Sequence, residues 1–483
     1  MSRLRGAAGA ERWARPLAER WKTFRDTPRA PLVLLAALSA ASLALRSLWI
    51  MNPRRLVFDE HYYVNAARRI LGVRLSPGTI YANAPAGLDP NFSHPPLGKV
   101  LISFGVRTFG DNPLGWRFAS LICGTYAVLA LYWLARSAGM TPWFSLGASS
   151  LMAADPMLFI HGRIGTLEIL VLPFMLVGAA VYLHRRPALA GAIIGVGACI
   201  KLVCLFVLPC FLALEVFRAV SGRTNGRGSR PAGAVRKSLG RFLGASAMAV
   251  VCYLAFLQAL DLRYTVFDSS LVHTHAMVTA VSVGRLDDSV VNQIAPQSQG
   301  PTHRIATAGA AEKVPPTGPV LDQDGQRLGF AATASPVEWL FNRHPHTFYR
   351  SPTFRGEVRS WSQFGRMTSD AAVFRALINP AIIALGIPSL IWCLVRLWRR
   401  RDPQALLPAA WFTGVWGSFV LAHIFRGGTA GHLYYMVIVL PAIYLAVAQM
   451  FRIPVLRRVL PLYGVLVALF FVWYFPFRTW GGI

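Results

Sequence analysis

Residues 31–50 read PLVLLAALSAASLALRSLWI, an apolar run about as long as a helix that crosses roughly 30 Å of hydrocarbon. Of the 483 residues, 54% are hydrophobic and only 14% are charged. Similar apolar runs follow near 116–135, 143–160, 164–183, 187–200, 202–217, 241–260, 373–395, 405–424, 433–450 and 457–476. The pattern predicts an all-α polytopic membrane protein with about eleven transmembrane helices and exterior loops.

The positions of the basic residues predict how these helices are oriented. The 49 Lys and Arg residues exceed the 21 Asp and Glu residues, but they lie mainly in short segments between apolar runs, which argues against nucleic acid as a partner. If the N-terminus is cytoplasmic and 187–217 forms two short helices rather than one tilted helix, the basic clusters all face the cytoplasm. These clusters are Arg3 to Arg29, Arg185-Arg186, Arg218 to Arg241, Arg396 to Arg401 and Arg452 to Arg458. The C-terminus is then expected outside.

This topology divides the chain into four parts. Residues 1–30 are expected to form a retained basic cytoplasmic tail, because no small-residue cleavage site follows. Residues 31–260 form an N-terminal membrane module with an exterior loop at 51–115, residues 261–372 form a second exterior loop, and 373–483 form the C-terminal helices. In the second loop, SPVEWLFNRHPHTFYR (335–350) is compatible with a short amphipathic helix on the membrane surface. The six cysteines lie in or beside apolar runs, without metal-site or disulfide spacing.

Two carboxylates lie where the chain leaves the first apolar run. They are Asp59 and Glu60 in LVFDEHYYVNAARRILG (56–72). One explanation is structural: Asp59 caps a helix from Glu60 to Leu71, with Gly72 just past its end. The other explanation is that the pair is catalytic. Further along the same loop, the double proline of SHPPLGK (93–99) is predicted to start a helix.

Three charged residues lie inside or at the ends of apolar runs, namely Arg163, Glu168 and Lys201. An ionised group at mid-bilayer costs roughly 2.5–3.5 kcal/mol on insertion scales, so we expect these side chains to face the protein interior or a wet cavity. Two structural alternatives stay open. Arg163 can extend to the membrane interface, or Glu168 can simply pair with Arg163.

Read in order, seven strings resemble the protein O-mannosyltransferase family within the GT-C class of polytopic glycosyltransferases. They are FDEHYY, SHPPLGK, WRFAS, HGRIGTLEIL, GACIKLVCLFVLP, INPAI and HLYYMVIVLPAI. The resemblance covers about 56–215 and, more loosely, 373–450, and the absence of room for an extra lumenal domain implies a bacterial member. The sequence departs from the family pattern at Glu168, where Asp is usual, and at Leu202-Val203, where an aromatic-Ser pair is usual.

The resemblance implies an inverting enzyme that moves a sugar, usually mannose, from a polyprenyl-phosphate carrier to Ser or Thr of a translocated protein. It implies that Asp59 accepts the proton of the acceptor hydroxyl and that Glu60 binds sugar or acceptor. Cations should surround the leaving phosphate because negative charge grows there. The candidates are Arg163 and Lys201, then Arg117 and Lys99, with His94 ordering the loop and Glu168 as a further site residue. No cofactor or metal is expected to be required, although a divalent cation stays open.

The implied location is a bacterial plasma membrane, with many passes and with the active site on the exterior face. The expected partners are the lipid-linked donor, a secreted or membrane protein as acceptor, the bilayer itself and the Sec translocon. Two alternatives stay open. One is a transferase that modifies a lipid or a glycan with the same donor, and the other is a transporter or flippase for a lipid-linked sugar, against which the chain lacks a recognisable inverted repeat.

Overall fold

The structure is a computed structural model of the chain. It describes residues 19, 22–221, 232–283, 335–343, 345–350, 372–425 and 431–477. Most of the predicted cytoplasmic tail and much of the predicted exterior loop 261–372 therefore lie outside the described residues. All of the predicted site residues lie within them.

Eight stretches of helix among the described residues are long and apolar enough to cross a membrane. They coincide with eight of the eleven predicted runs and comprise Ala30–Ser47 (α1), Pro113–Ser137, Leu202–Val220, Val235–Tyr264, Pro380–Arg400, Pro403–Phe425, Leu433–Met450 and Pro454–Trp473. A helical polytopic fold is thus confirmed.

The other three predicted runs form shorter helices. The run 143–160 is divided into Pro142–Ala153 and Pro156–His161, because Asp155 caps the second helix by accepting from the Met157 N–H at 2.8 Å. The runs 164–183 and 187–200 form helices Leu167–Leu183 and Pro187–Ala198. At about 1.5 Å per residue, the 12-residue helix is only about 18 Å long. The count of eleven complete crossings therefore stays a prediction.

In chain order, we number the helices after α1 as α2 to α17. Their bounds are α2 Glu60–Ile70, α3 Leu97–Phe109, α4 Pro113–Ser137, α5 Pro142–Ala153, α6 Pro156–His161, α7 Leu167–Leu183, α8 Pro187–Ala198, α9 Leu208–Ser221, α10 Ala232–Tyr264, α11 Ser270–Val283, α12 Pro336–Trp339, α13 Pro380–Arg400, α14 Pro403–Trp411, α15 Gly417–Phe425, α16 Met436–Met450 and α17 Pro454–Trp473. A 3₁₀ turn at Leu202–Val207 precedes α9, a π turn at Phe412–Trp416 joins α14 to α15, and a 3₁₀ turn at Leu433–Tyr435 precedes α16.

The 187–217 region is divided as predicted. Helix α8 ends at Ala198, and the chain turns through Lys201, whose extended backbone (φ −156°, ψ 132°) interrupts the helical run before the 3₁₀ turn. The break leaves the Lys201 side chain at a helix junction instead of inside a continuous apolar helix. From this junction it reaches Glu168, at the start of α7.

The exterior-loop predictions hold in part. Helix α2 starts at Glu60 as predicted and ends one residue earlier than predicted, with Gly72 beyond it at φ 77°, and α3 starts directly after the double proline. The amphipathic helix predicted at 335–350 is wrong. Of the described residues in this segment, only the four of α12 are helical, because a capping box between Ser335 and Glu338 starts the helix but no sustained pattern follows. The chain then forms strand β1 (His346–Arg350), antiparallel to β2 (Val373–Ala376).

The core lies around α7 and α16. Both helices are apolar on all sides, and nearly every residue in them is buried, which is typical of central helices in a bundle. By contrast, only 6% of an 18-residue apolar stretch of α17 is buried. Its apolar side chains therefore form an outer face of the kind that contacts lipid.

Candidate active site

Asp59 occupies the N-cap position immediately before α2, shortly after α1 ends. Its side chain makes no capping hydrogen bond, so the explanation that it serves only as a helix cap is wrong. Its Oδ2 is 3.5 Å from the hydroxyl of Tyr63, one turn along the helix. Desolvation by the surrounding protein, followed by the negative charge of Glu168, raises the pKa of Asp59 to about 7. A carboxylate with this pKa can take up a proton near neutral pH.

The turn before Asp59 is conformationally constrained. Phe58 has φ 51°, in the left-handed region that bulky residues seldom occupy. Its ring packs 4.3 Å from that of Phe348 and 5.2 Å from that of Tyr434. Contacts from distant parts of the chain therefore support the backbone that presents Asp59, as is usual for strained residues at functional sites.

Glu60 has a different environment from its neighbour, because it is buried and saturated with donors. Its two oxygens accept from Nε and Nη2 of Arg117 at 2.9 and 3.1 Å, from the Gly165 N–H at 2.8 Å and from the Val57 N–H at 2.9 Å. Arg117 also donates to the carbonyl oxygens of Ile50, Pro53 and Arg55. The predicted site residues Glu60 and Arg117 thus bind each other and fix the loop that carries Asp59.

Lys201 and Glu168 form a buried ion pair through Nζ and Oε1. The pairing of Glu168 with Arg163, which the sequence left open, is therefore wrong. The Lys201 ammonium also lies 5.0 Å from the ring centroid of Tyr435, in cation–π geometry. The charges of Glu168 and Lys201 both act on Asp59. The structure thus brings three predicted site residues into one electrostatic cluster.

Arg163 is placed elsewhere in the core. Its guanidinium donates to the carbonyl oxygens of Leu48 and Trp49 at 3.1 and 3.3 Å, and lies 4.3 Å from the ring centroid of Phe477. The charged groups that act on it are Arg117, Glu60 and Arg46. Of the two main phosphate-binding candidates, Lys201 therefore belongs to the cluster with Asp59, whereas Arg163 belongs to the neighbourhood of the Glu60–Arg117 pair.

Lys99 lies in the first turn of α3, and His94 lies in the loop just before that helix. The buried Nζ of Lys99 is 2.8 Å from Oδ2 of Asp89, and it donates to the carbonyl oxygens of Asn91 and His94 at 2.8 and 2.5 Å. The His94 ring lies 5.9 Å from that of Tyr63. Burial, together with the positive charges of Lys201 and Lys99, keeps the pKa of His94 well below its usual range. Lys99 therefore orders the loop, and His94 contacts the site as a neutral ring.

Sequence reasoning assigned no role to four residues that the structure adds to the cluster: Tyr63, His161, Tyr434 and Tyr435. All four are part of the quoted strings. No local sequence pattern marks these four residues as part of the site. Tyr434 and Tyr435, in particular, are separated from Asp59 by most of the length of the chain. Among the described residues, no group of three or more His, Cys, Asp or Glu side chains is arranged to hold a metal ion.

Part of the chain is similar in sequence to known proteins. Residues 93–226 match the family model described as dolichyl-phosphate-mannose-protein mannosyltransferase. The polyprenol-phosphate-mannose–protein mannosyltransferase of Mycolicibacterium smegmatis is 33% identical over 133 residues, which are 27% of this chain and 24% of the relative. That of Corynebacterium glutamicum is 35% identical over 125 residues, 26% of this chain and 24% of the relative. The matched segment thus spans about a quarter of these relatives.

The fold has a counterpart among solved structures. The apo oligosaccharyltransferase of Archaeoglobus fulgidus superposes with a TM-score of 0.51 and 16% identity, over 94% of this chain and 57% of that one. At this identity the likeness concerns the fold alone. Residues 93–226 are therefore similar to the dolichyl-phosphate-mannose-protein mannosyltransferase family, and the fold of the chain is similar to that of the archaeal oligosaccharyltransferase.

Proposed function

We propose that this protein is an inverting glycosyltransferase that moves a sugar, most simply mannose, from a polyprenyl-phosphate carrier to a Ser or Thr hydroxyl of a protein. The observation that carries the proposal is Asp59, a carboxylate with a pKa of about 7 beside the Lys201–Glu168 pair. The names of the matched relatives support the donor class and the protein acceptor. The proposed location is the exterior face of a bacterial plasma membrane.

The reaction requires one displacement. The acceptor oxygen attacks C1 of the sugar, the bond between C1 and the phosphate oxygen breaks, and the electron pair of that bond goes to the phosphate. The proton of the attacking hydroxyl passes to Asp59, whose pKa is suited to a base at neutral pH. Because the leaving group is a phosphate, it needs little protonation, and a single displacement inverts the anomeric centre.

Electrostatic stabilisation of the leaving phosphate is assigned to Lys201. It is the cation in the described cluster whose charge acts on Asp59, and negative charge grows on the phosphate as the bond breaks. Its Nζ is paired with one oxygen of Glu168, so a phosphate oxygen would be a further ligand of the same ammonium, which has three donors. Glu60 and Arg117 act indirectly in this scheme, by holding the backbone next to Asp59.

The proposal is tested by supplying purified protein in lipid nanodiscs with labelled polyprenyl-phosphate-mannose and three separate acceptor pools: a Ser/Thr-rich peptide, a glycolipid and a soluble glycan. We expect label in the peptide, and a loss of roughly 100-fold or more in the Asp59→Asn variant, which keeps the size of the side chain but has no carboxylate to accept the proton. Label in the lipid or glycan pool would redirect the acceptor assignment. If no pool is labelled, the protein is placed in sealed vesicles, where movement of the carrier across the bilayer would favour the transporter.

A further inference from the structure

A buried histidine that shares Glu168 and Lys201 as charged neighbours with the candidate base has an unused nitrogen. His161 ends α6 and is fully buried, and its Nδ1 is 2.9 Å from the hydroxyl of Thr166. Its Nε2 is also buried and has no hydrogen-bond partner within the described residues. Buried polar groups are nearly always paired, so an unpaired one needs an explanation such as a ligand.

Glu168 provides a second unused atom in the same neighbourhood. Its Oε1 is paired with Lys201, whereas its Oε2 is buried with no hydrogen-bond partner in the described part of the chain. The charges of Glu168 and Lys201 both act on His161. A nitrogen and a carboxylate oxygen without partners are therefore found together in one cluster.

Aromatic rings connect this cluster to the base. The His161 ring stands edge-on to Phe348 at 5.3 Å and lies 6.1 Å from the ring of Tyr434. Phe58, the residue before Asp59, contacts both of those rings. An aromatic wall with a few unsatisfied polar atoms is the usual construction of a small-ligand site, and it suits a sugar, which has hydroxyl groups and apolar C–H faces.

We propose that His161 Nε2 and Glu168 Oε2 hydrogen-bond hydroxyl groups of the donor sugar, so that His161 is a specificity-determining residue. The inference rests on the proposed function and adds to it the groups that recognise the sugar. Glu168 Oε2 accepts from one hydroxyl. His161 Nε2 serves in either tautomer, because a hydroxyl both donates and accepts. Recognition of the sugar is thereby separated from Asp59, which acts on the acceptor.

Two substitutions distinguish the roles of the two ring nitrogens of His161. In His161→Asn, the shorter side chain can keep a polar atom near Nδ1 and its contact with Thr166, but it loses the atom at Nε2. His161→Gln instead keeps a polar atom near the position of Nε2. As a matched control, Thr125→Val in α4 removes a different buried hydroxyl that has no partner among the described residues. Thermal midpoints of all variants report their folding.

The measurement is equilibrium binding of two ligands in nanodiscs, polyprenyl-phosphate-mannose and polyprenyl phosphate without sugar. We expect His161→Asn to bind the mannosyl carrier roughly tenfold more weakly, with unchanged affinity for the sugar-free carrier. His161→Gln should retain much of the affinity, and Thr125→Val should match the wild type on both ligands. An equal loss on both ligands, or no loss on either, would overturn the inference while leaving the proposed function intact. Failure of the wild type to bind either carrier would refute the proposed function itself.

A second measurement starts with the wild-type protein alone and varies the donor sugar. Carriers of mannose that lack one hydroxyl at a time are compared with the intact donor on the wild type. At least one should bind roughly tenfold more weakly, and that penalty should disappear in His161→Asn, because the variant has already lost the partner of the missing hydroxyl. Equal affinity of the wild type for every deoxy carrier would overturn the assignment even if the Asn variant failed to fold.

Discussion

The pH dependence of turnover is the most direct test of Asp59. With a pKa of about 7, about a tenth of the side chain is ionised at pH 6 and about a hundredth at pH 5. Because kcat/KM reports the free enzyme, we expect it to fall about tenfold at pH 6 and about a hundredfold at pH 5 relative to the alkaline plateau. A sugar phosphodiester keeps its charge over this range, so the donor does not produce the same limb.

The assay is the initial rate of peptide labelling at subsaturating donor, measured from pH 5 to pH 9 in nanodiscs. In Asp59→Asn the residual rate should show no such limb. An acid limb with its midpoint near 4, the ordinary range of an Asp carboxyl, would refute the environment described for Asp59. The same limb in Asp59→Asn would assign the titration to another group.

The raised pKa also affects stability, with a definite sign. Between 3.8 and about 7, the folded protein holds a proton on Asp59 that the unfolded chain has released. The stabilising contribution of this group is therefore complete below pH 3.8 and is lost as the pH rises to about 7. Asp59→Asn should raise the thermal midpoint relative to the wild type at pH 8 more than at pH 5. An identical difference at both pH values would contradict the argument.

Three further predictions concern the ion pair, the packing and the topology. Lys201→Met should cost about 3–5 kcal/mol by leaving a buried carboxylate unpaired, and the double variant with Glu168→Gln should recover that stability. Affinity for the sugar-free polyprenyl phosphate that stays about ten- to a hundredfold low in the double variant supports a phosphate on Lys201, and full recovery would contradict it. Gly162→Ala should destabilise by about 1–3 kcal/mol, seen as a lower thermal midpoint, because the new Cβ would lie 2.5 Å from Nε and 2.8 Å from Cδ of Arg46. A Cys at Gly300, which lies outside the described residues, should react with an impermeant reagent in intact cells; reaction only after lysis would refute the exterior assignment of that loop.

The membrane fold could be predicted from the sequence because its signals are local. Apolar length, capping residues, proline position and basic connections each act within a few residues, and they predicted the start of α2, the start of α3 and the break at Lys201. The prediction of helix boundaries was less accurate where a single capping side chain decides where a helix begins. Asp155 caps a new helix and so divides an apolar run that composition alone treats as continuous.

The sequence indicated which residues belong to the candidate site, but it did not indicate which of their side chains contact each other. Glu60 and Arg117 are 57 residues apart in sequence, and no local pattern indicates that each satisfies the other. Arg163 carried the same intramembrane signal as Lys201, yet aromatic rings as distant as Phe477 decide its surroundings. An expensive buried charge indicates that a partner exists, and only the folded chain identifies the partner.

Tyr434 and Tyr435, which reach the region of Asp59 and Lys201 from just before α16, have a consequence for biosynthesis. A ribosome completes Asp59 early, together with the family-matched segment, but adds these two tyrosines only after most of the membrane helices have been made. A nascent chain therefore carries the proposed base well before it carries the two tyrosines of the aromatic wall. Premature termination before this turn would leave a polypeptide with Asp59, Glu168 and Lys201 but without the tyrosines that lie beside them.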